Sequence, residues 1–108
     1  MVKFIITFTR AENLDVFENA YNDLLALVER MPNIQRRQVV NVLGSPSGEA
    51  PYYRLLEIYF DSVEAMQEAL RSKAGQEAGG ELGRRFVAGT YAAYYADVFE
   101  EAGGSTPV

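Results

Sequence analysis

Apolar residues in this chain alternate with a period of two in four segments and recur with a helical period in two others. In chain order the segments are strand, helix, strand, strand, helix and strand. The length of 108 residues is that of one small domain. The order of the segments therefore predicts a single α+β domain over residues 1–100 and a flexible tail at residues 101–108.

The four predicted strands are short runs rich in β-branched and aromatic residues. They span residues 2–9, 34–43, 52–60 and 91–99. A cluster of Gly, Ser and Pro at residues 44–51 joins the middle two as a hairpin. In the first strand both alternating sets are partly apolar, which is typical of a central strand that is covered on both sides.

The two helical segments differ in regularity. The first spans residues 13–31, with an Asn cap at its start and Pro-Asn directly after its end. For the second we expect a cap at Asp61, with Glu64 three residues later as in a capping box, and an end at Gly75. A further helical piece at residues 76–87 contains three glycines, and we interpret this region as a flexible lid or loop.

A β-α-β-β-α-β order builds the ferredoxin-like fold, a four-stranded antiparallel sheet with both helices on one face. On the uncovered face the first strand carries Lys3, Ile5, Thr7 and Thr9, and the third carries Tyr53, Leu55, Glu57 and Tyr59. The fourth strand contributes either the set that contains Tyr94 or the set that contains Tyr95. A face so rich in apolar residues exceeds the patches usual on soluble monomers, which predicts a symmetric homodimer that hides it.

Composition excludes several chemistries. The chain has no Cys and no His, so thiolate catalysis, the usual catalytic triads and the commonest zinc and haem ligands are absent. We expect no metal and no cofactor. The net charge of −5 and only two Arg pairs argue against nucleic-acid binding. No apolar run is long enough to span a membrane and no signal peptide is apparent, so we expect a cytoplasmic protein.

Three stretches resemble the EthD family of the dimeric α+β barrel superfamily. They are the opening VKFII strand, the first helix with Phe17 and Tyr21 before Met-Pro, and the segment PYYRLLEIYFDSVEA at residues 51–65. The resemblance implies a homodimer whose two sheets form a barrel, with a cavity on the sheet face of each subunit. The superfamily includes cofactor-free monooxygenases, isomerases, cyclases and haem-degrading enzymes. Relatives usually carry a His in the first helix, where this chain has Leu24.

Glu57 is the candidate catalytic residue, because a buried carboxylate in mid-strand has the properties of a general base. The alternative is a structural ion pair with Lys3 or Arg54. Four tyrosines are candidates for lining a ligand pocket through their rings and hydroxyls, although ordinary interface packing explains them as well. The predicted ligand-binding set is Lys3, Thr7, Tyr53, Tyr59, Tyr94 and Tyr95.

Three functions remain open from the sequence. The first is a binding protein that holds a small apolar or aromatic molecule in the sheet-face cavity. The second is a cofactor-independent enzyme of the monooxygenase, isomerase or cyclase type, in which Glu57 takes a proton and a Tyr hydroxyl stabilises an oxyanion. The third is a structural dimer whose barrel is filled by side chains.

Overall fold

Seven elements make up the structure, a computed structural model that describes residues 1–101. Residues 102–108, nearly all of the predicted tail, lie outside the described part. The chain runs through four strands and three helices in the order β1 (Val2–Phe8), α1 (Leu14–Val28), β2 (Arg36–Asn41), β3 (Arg54–Phe60), α2 (Val63–Arg71), α3 (Lys73–Arg85) and β4 (Tyr91–Asp97).

The sheet has the strand order β2-β3-β1-β4, and each neighbouring pair is antiparallel. β1 is therefore central, as its two apolar sides predicted. Phe4 lies opposite Tyr95 of β4, whereas Ile5 lies opposite Glu57 of β3 and Tyr94 of β4. Because partners across a sheet share a face, this register assigns every strand residue to one side. The ferredoxin-like prediction is confirmed.

The core fills the space between the helices and the sheet. α1 is capped by Asn13, whose side chain accepts a hydrogen bond from the amide of Val16 at 3.1 Å. The buried residues of α1 recur every three or four positions and cover the side of β1 that carries Phe8. The Phe8 ring meets Phe17 and Tyr21 edge to face, with centroids 5.5 and 5.6 Å apart. Each such buried side chain contributes about 1.5–3 kcal/mol.

The second helical region begins one residue later than predicted and contains a sharp corner. Ser62 caps α2, since its hydroxyl accepts from the amide of Ala65 at 3.1 Å; the cap predicted at Asp61 is wrong. α2 ends and α3 begins at Ser72, whose hydroxyl accepts from the amide of Gly75 at 3.1 Å. The predicted helix end at Gly75 is therefore also wrong.

The glycine-rich stretch is helix, not a lid. Gly79, Gly80 and Gly83 all lie within α3, whose other side buries Ala78. Gly75 has a specific role at the corner, because a Cβ there would lie 2.3 Å from the carbonyl oxygen of Ala69. Only a residue without a side chain permits α3 to approach α2 this closely.

The sheet face away from the helices, the open face, contains one alternating set from each strand. Its members lie outside the core cluster. They are Lys3, Ile5 and Thr7 of β1, Leu55, Glu57 and Tyr59 of β3, Ala92, Tyr94 and Ala96 of β4, and Arg36, Gln38 and Val40 of β2.

The α2–α3 corner gives the first prediction. We expect Gly75→Ala to lower the free energy of unfolding by at least about 2 kcal/mol, because the added methyl group meets backbone atoms that have no room to move. Gly79→Ala is the matched control: its Cβ meets nothing within 4 Å, so the helix gains about 0.5–1 kcal/mol. Urea unfolding followed by circular dichroism at one protein concentration measures both. Equal midpoints for the two variants would contradict the tight corner.

Candidate functional site

The open face brings together five of the seven residues predicted for the site: Lys3, Thr7, Glu57, Tyr59 and Tyr94. The other two lie on the helix side. Neighbouring residues of a strand point to opposite faces. Tyr95 therefore lies on the side opposite Tyr94, where it pairs with Phe4, and it is 60% exposed at the sheet edge. The Tyr53 ring packs edge to face on Phe17, with centroids 5.6 Å apart. The expectation that Tyr53 shares a face with Glu57 is wrong, and of the two sets left open for the fourth strand, the one with Tyr94 lies on that face.

Glu57 forms an ion pair with Lys3 in the middle of the open face. The Lys3 Nζ lies 2.5 Å from Oε1 of Glu57, and Glu57 is only 8% exposed. The hydrogen bond to Glu57 raises the pKa of Lys3 above its ordinary value of 10.5. The contribution of Lys3 to stability is thus present at neutral pH and up to about 10.5, and it is lost as the pH rises through its raised folded pKa.

Side chains of the edge strand β2 cover the centre of the open face. The Arg36 guanidinium carbon lies 4.1 Å from the centroid of the Tyr59 ring, and the Tyr59 hydroxyl is 3.5 Å from Oε1 of Gln38. Ile5, Thr7 and Tyr59 are buried even in the single chain. The only large aromatic residue exposed on this face is Tyr94, at 46%. The open face is therefore less apolar at its surface than the sequence predicted.

Glu57 lines none of the four best-formed surface pockets of residues 1–101. The most enclosed, the α1–α3 pocket, lies where the loop after β1, the start of α1 and the end of α3 meet. Its volume is about 500 Å³. Its lining consists of residues 10–13, 16, 17, 85–87 and 90.

The floor of the α1–α3 pocket is aromatic. Phe17 and Phe86 are each 7% exposed, and their rings meet edge to face with centroids 5.7 Å apart. Val16 and Val87 stand at the rim, 59% and 73% exposed. An aromatic floor with an aliphatic rim suits a flat apolar ligand.

A tight turn holds one wall of the pocket. The amide of Thr90 donates to the carbonyl of Val87 at 3.0 Å, and Gly89 takes a positive φ of 87°. A positive φ at the third position is typical of a type II turn and favours glycine. The amide of Thr9 then donates to the Thr90 carbonyl at 2.9 Å, which ties the turn to the end of β1. The wall is therefore formed before any ligand arrives.

Arg54 supports the pocket floor from behind. Its guanidinium group binds both carboxylate oxygens of Glu18, and its Nε donates to Oδ1 of Asn41 at 2.8 Å. The guanidinium carbon also lies 4.5 Å from the Tyr21 ring centroid and 5.6 Å from that of Phe17. Within residues 1–101 the buried Tyr21 hydroxyl has no hydrogen-bond partner, and burial raises its pKa. Tyr21 thus contributes chiefly through its ring.

Sequence reasoning missed the α1–α3 pocket. Phe17 enters the sequence argument only through the resemblance to the EthD family, and neither Phe86 nor Thr90 is singled out there. The pocket joins residues near position 10 to residues near position 86, and only the β1–β4 register with the packing of α3 on α1 brings these together. A signal was available in the Val-Ala-Gly-Thr turn before β4, which fixes where that strand starts.

Neither a metal site nor a membrane span is found in the described part of the chain. Residues 1–101 contain no cluster of three or more acidic side chains placed to hold a metal ion. None of the three helices is both long and apolar enough to cross a bilayer.

A sequence model described as the EthD domain matches residues 9–90, most of the chain. No curated protein is significantly similar in sequence. Among solved structures, an EthD family protein from Bacillus halodurans C-125 is 27% identical, with a TM-score of 0.86 over 92% of this chain and 99% of that one.

Two further structures share the fold at low identity. A dimeric ferredoxin-like protein of unknown function from Jannaschia sp. CCS1 is 16% identical, with a TM-score of 0.66 over 90% of this chain and 98% of that one. A cofactor-independent oxygenase from Streptomyces nogalater is 15% identical, with a TM-score of 0.65 over 93% and 94%. The resemblance predicted from the sequence is confirmed at the level of family and fold.

The Arg54–Glu18 pair gives a pH-dependent prediction. The hydrogen bonds from Arg54 hold the pKa of Glu18 below its ordinary value of 4.5. The pair therefore stabilises the fold above pH 4.5, and its contribution is lost as the pH falls through the lower folded pKa. We expect Glu18→Gln to be less stable than wild type by up to about 1 kcal/mol at pH 7, since Glu18 is partly exposed. That difference should shrink as the pH falls below 4.5 and the carboxyl group of Glu18 becomes protonated.

Urea unfolding at pH 7, 5 and 3 measures this difference. Glu68→Gln is the control, because Glu68 is exposed on α2 and forms no ion pair within residues 1–101. A stability difference for Glu18→Gln that stays constant from pH 7 to pH 3 would rule out the assigned role of the carboxylate.

Proposed function

The chain belongs to the EthD family, and on that premise we propose that it is a homodimer in which each subunit binds a small apolar or aromatic molecule. The ligand occupies the α1–α3 pocket, and the open face of the sheet forms the interface between the two copies. The two functions thus lie on opposite sides of one sheet.

The aromatic floor of the α1–α3 pocket carries the binding proposal. A volume of about 500 Å³ falls within the range of roughly 300–1,000 Å³ that is usual for small-molecule sites. The Phe17 and Phe86 rings pack against each other and against the Phe8 ring, and Phe86 also packs against Tyr91. A preformed apolar pocket binds without the cost of ordering its walls.

The ion pair at Glu57 favours binding over catalysis. The Lys3 ammonium group holds Oε1 of Glu57, so only Oε2 is left to accept a proton from a substrate. The catalytic alternative, supported by the cofactor-independent oxygenase that shares the fold, would use that oxygen. Binding in the α1–α3 pocket makes no demand on this ion pair.

The open face suits a second copy of the same chain. All three helices lie on the other side of the sheet, and the central charges Lys3 and Glu57 already neutralise each other. Burial against a twin would therefore cover Ile5, Leu55 and Tyr94 without leaving these charges unpaired. The described dimer from Jannaschia sp. CCS1 supports the same assembly here. A two-fold axis is the commonest arrangement for such an interface.

Two neighbouring alanines of β4 test the interface. Ala92 lies on the open face opposite Thr7, whereas Ala93 lies on the helix side opposite Ile6, and both are exposed in the single chain. We expect the wild type to sediment with twice the chain mass of 12.0 kDa at micromolar concentration. Ala92→Glu should weaken the dimer at least about 100-fold, because it buries an unpaired carboxylate from each copy.

Ala93→Glu is the matched control and should remain dimeric. Sedimentation equilibrium measures all three proteins. A monomeric wild type, or an Ala92→Glu variant that is dimeric like its control, would refute the open face as the interface.

Exposed valines on two helices test the pocket. Val16→Trp places an indole over the mouth of the α1–α3 pocket, while Val63→Trp adds the same group on α2, away from it. We expect the neutral dye N-phenyl-1-naphthylamine to bind the wild type and Val63→Trp alike, with enhanced fluorescence. Val16→Trp should weaken that binding at least about 10-fold.

Titration of dye fluorescence at constant protein concentration measures the affinities. Failure of the wild type to bind would refute the binding proposal and favour the structural dimer. If Val16→Trp leaves dye binding unchanged, the dye binds elsewhere on the molecule and the assignment of the ligand to the α1–α3 pocket is refuted.

A further inference from the structure

Arg10 is a free cation at the mouth of the α1–α3 pocket. Seven of the ten Lys and Arg side chains form ion pairs within residues 1–101; the other three are Arg10, Arg30 and Arg71. Of these three, only Arg10 lines the pocket that has the aromatic floor, and it lies between that pocket and a neighbouring one that Tyr53 lines. Its guanidinium carbon lies 5.6 Å from the Tyr53 ring centroid, so the group is positioned by an aromatic face and keeps its hydrogen-bond donors available.

The other arginine of the pocket is already engaged. Arg85 donates to Asp23 at 2.9 Å and to Glu81 at 3.1 Å, and the hydrogen bond to Asp23 raises the pKa of Arg85. Its charge is thus balanced by two carboxylates of the same subunit. Arg10 differs from Arg85 because no carboxylate within residues 1–101 occupies its guanidinium group.

Arginines outnumber carboxylates in the pocket lining, although Asp23 and Glu81 balance the charge of Arg85 from outside it. The chain has a net charge of −5, yet the lining contains two arginines and a single carboxylate, that of Glu12. A guanidinium group recognises a carboxylate or sulfonate with paired hydrogen bonds. Beside an apolar floor, such a group selects molecules that combine an apolar body with one acidic group.

We propose that the ligand of the α1–α3 pocket is an organic anion, with an aromatic or apolar body on Phe17 and Phe86 and its acidic group on Arg10. This inference rests on the proposed function, since it assigns a chemical class to the ligand of the same pocket. It makes Arg10 the residue that determines specificity for charge, whereas the phenylalanines provide affinity for any flat apolar molecule.

Two naphthyl dyes of similar size separate charge from apolar contact. One is the anion 8-anilinonaphthalene-1-sulfonate and the other is the neutral N-phenyl-1-naphthylamine. We expect Arg10→Gln to weaken binding of the sulfonate about 3- to 10-fold and to change binding of the neutral dye less than about 2-fold. Arg71→Gln is the matched control, because Arg71 is also exposed and free of ion pairs within residues 1–101 but lies on α2. It should affect neither dye.

Salt gives an independent readout on the full-length wild-type chain. Raising the ionic strength from 0.05 to 0.5 M should weaken sulfonate binding to the wild type, because salt screens the attraction between Arg10 and the sulfonate. Arg10→Gln lacks this charge, so its affinity for the sulfonate should remain nearly constant. Val16→Trp should weaken both dyes, which locates them in the pocket.

The outcomes distinguish this inference from the proposed function. If Arg10→Gln weakens both dyes equally, or neither, the assignment of an anion is overturned while the pocket stands. If the sulfonate is lost equally in Arg71→Gln, general surface charge explains its binding and the role of Arg10 is overturned. If the wild type binds neither dye, the proposed function fails and the inference fails with it.

Discussion

The pairing of β1 with both of its neighbours determines the rest of this structure. β1 is the first strand in the chain, yet it lies in the middle of the sheet, and its partner β4 is the last. This pairing brings the end of β1 beside the start of β4, where Thr9 bonds to Thr90. The α1–α3 pocket exists because α1 follows β1 at that edge and α3 precedes β4 there. Because strand residues alternate between faces, the same register decides which side chains face the pocket side and which face the open side.

Each side of the sheet contains an ion pair whose two charges compensate each other. On the open face Lys3 and Glu57 neutralise each other, and on the helix side Arg54 and Glu18 do the same. Removing Lys3 would leave the largely buried Glu57 alone, which is costly, whereas Glu18 is 41% exposed and its pair with Arg54 contributes less. A cation such as Arg10, which has no such partner within residues 1–101, is in a different position. Its charge is available to a molecule that comes from outside.

Sequence patterns predicted the elements of this fold well and their faces less well. The strands, α1 with its Asn13 cap and the central place of β1 followed from local periodicity and capping chemistry. The α2–α3 corner did not, because helix propensity counts Gly75 as a breaker. Its role depends on a close approach to the backbone of Ala69, which lies in another helix.

Failures at the candidate site have the same physical origin. Tyr94 and Tyr95 are adjacent aromatic residues, and no local pattern states which of them faces the helices; only the pairing of Phe4 with Tyr95 settles it. Glu57 pairs with Lys3, one of the two ion-pair partners that the sequence suggested for it. Lys3 lies two residues out of direct register, diagonal to Glu57 on the same face, a geometry that long side chains bridge readily across a sheet.

Two roles on opposite faces place different demands on one sheet. An interface requires a surface without unpaired charge, and the open face meets this through its central ion pair. A ligand site requires a concave surface and a group that has no ion-pair partner within the protein. Within residues 1–101 the helix side provides the concave surface at Phe17 and Phe86 and the unpaired group at Arg10. The pocket residues lie in the β1–α1 loop, in α1 and around the end of α3, and none of them is in a strand, so substitution there leaves the open-face residues of the strands in place.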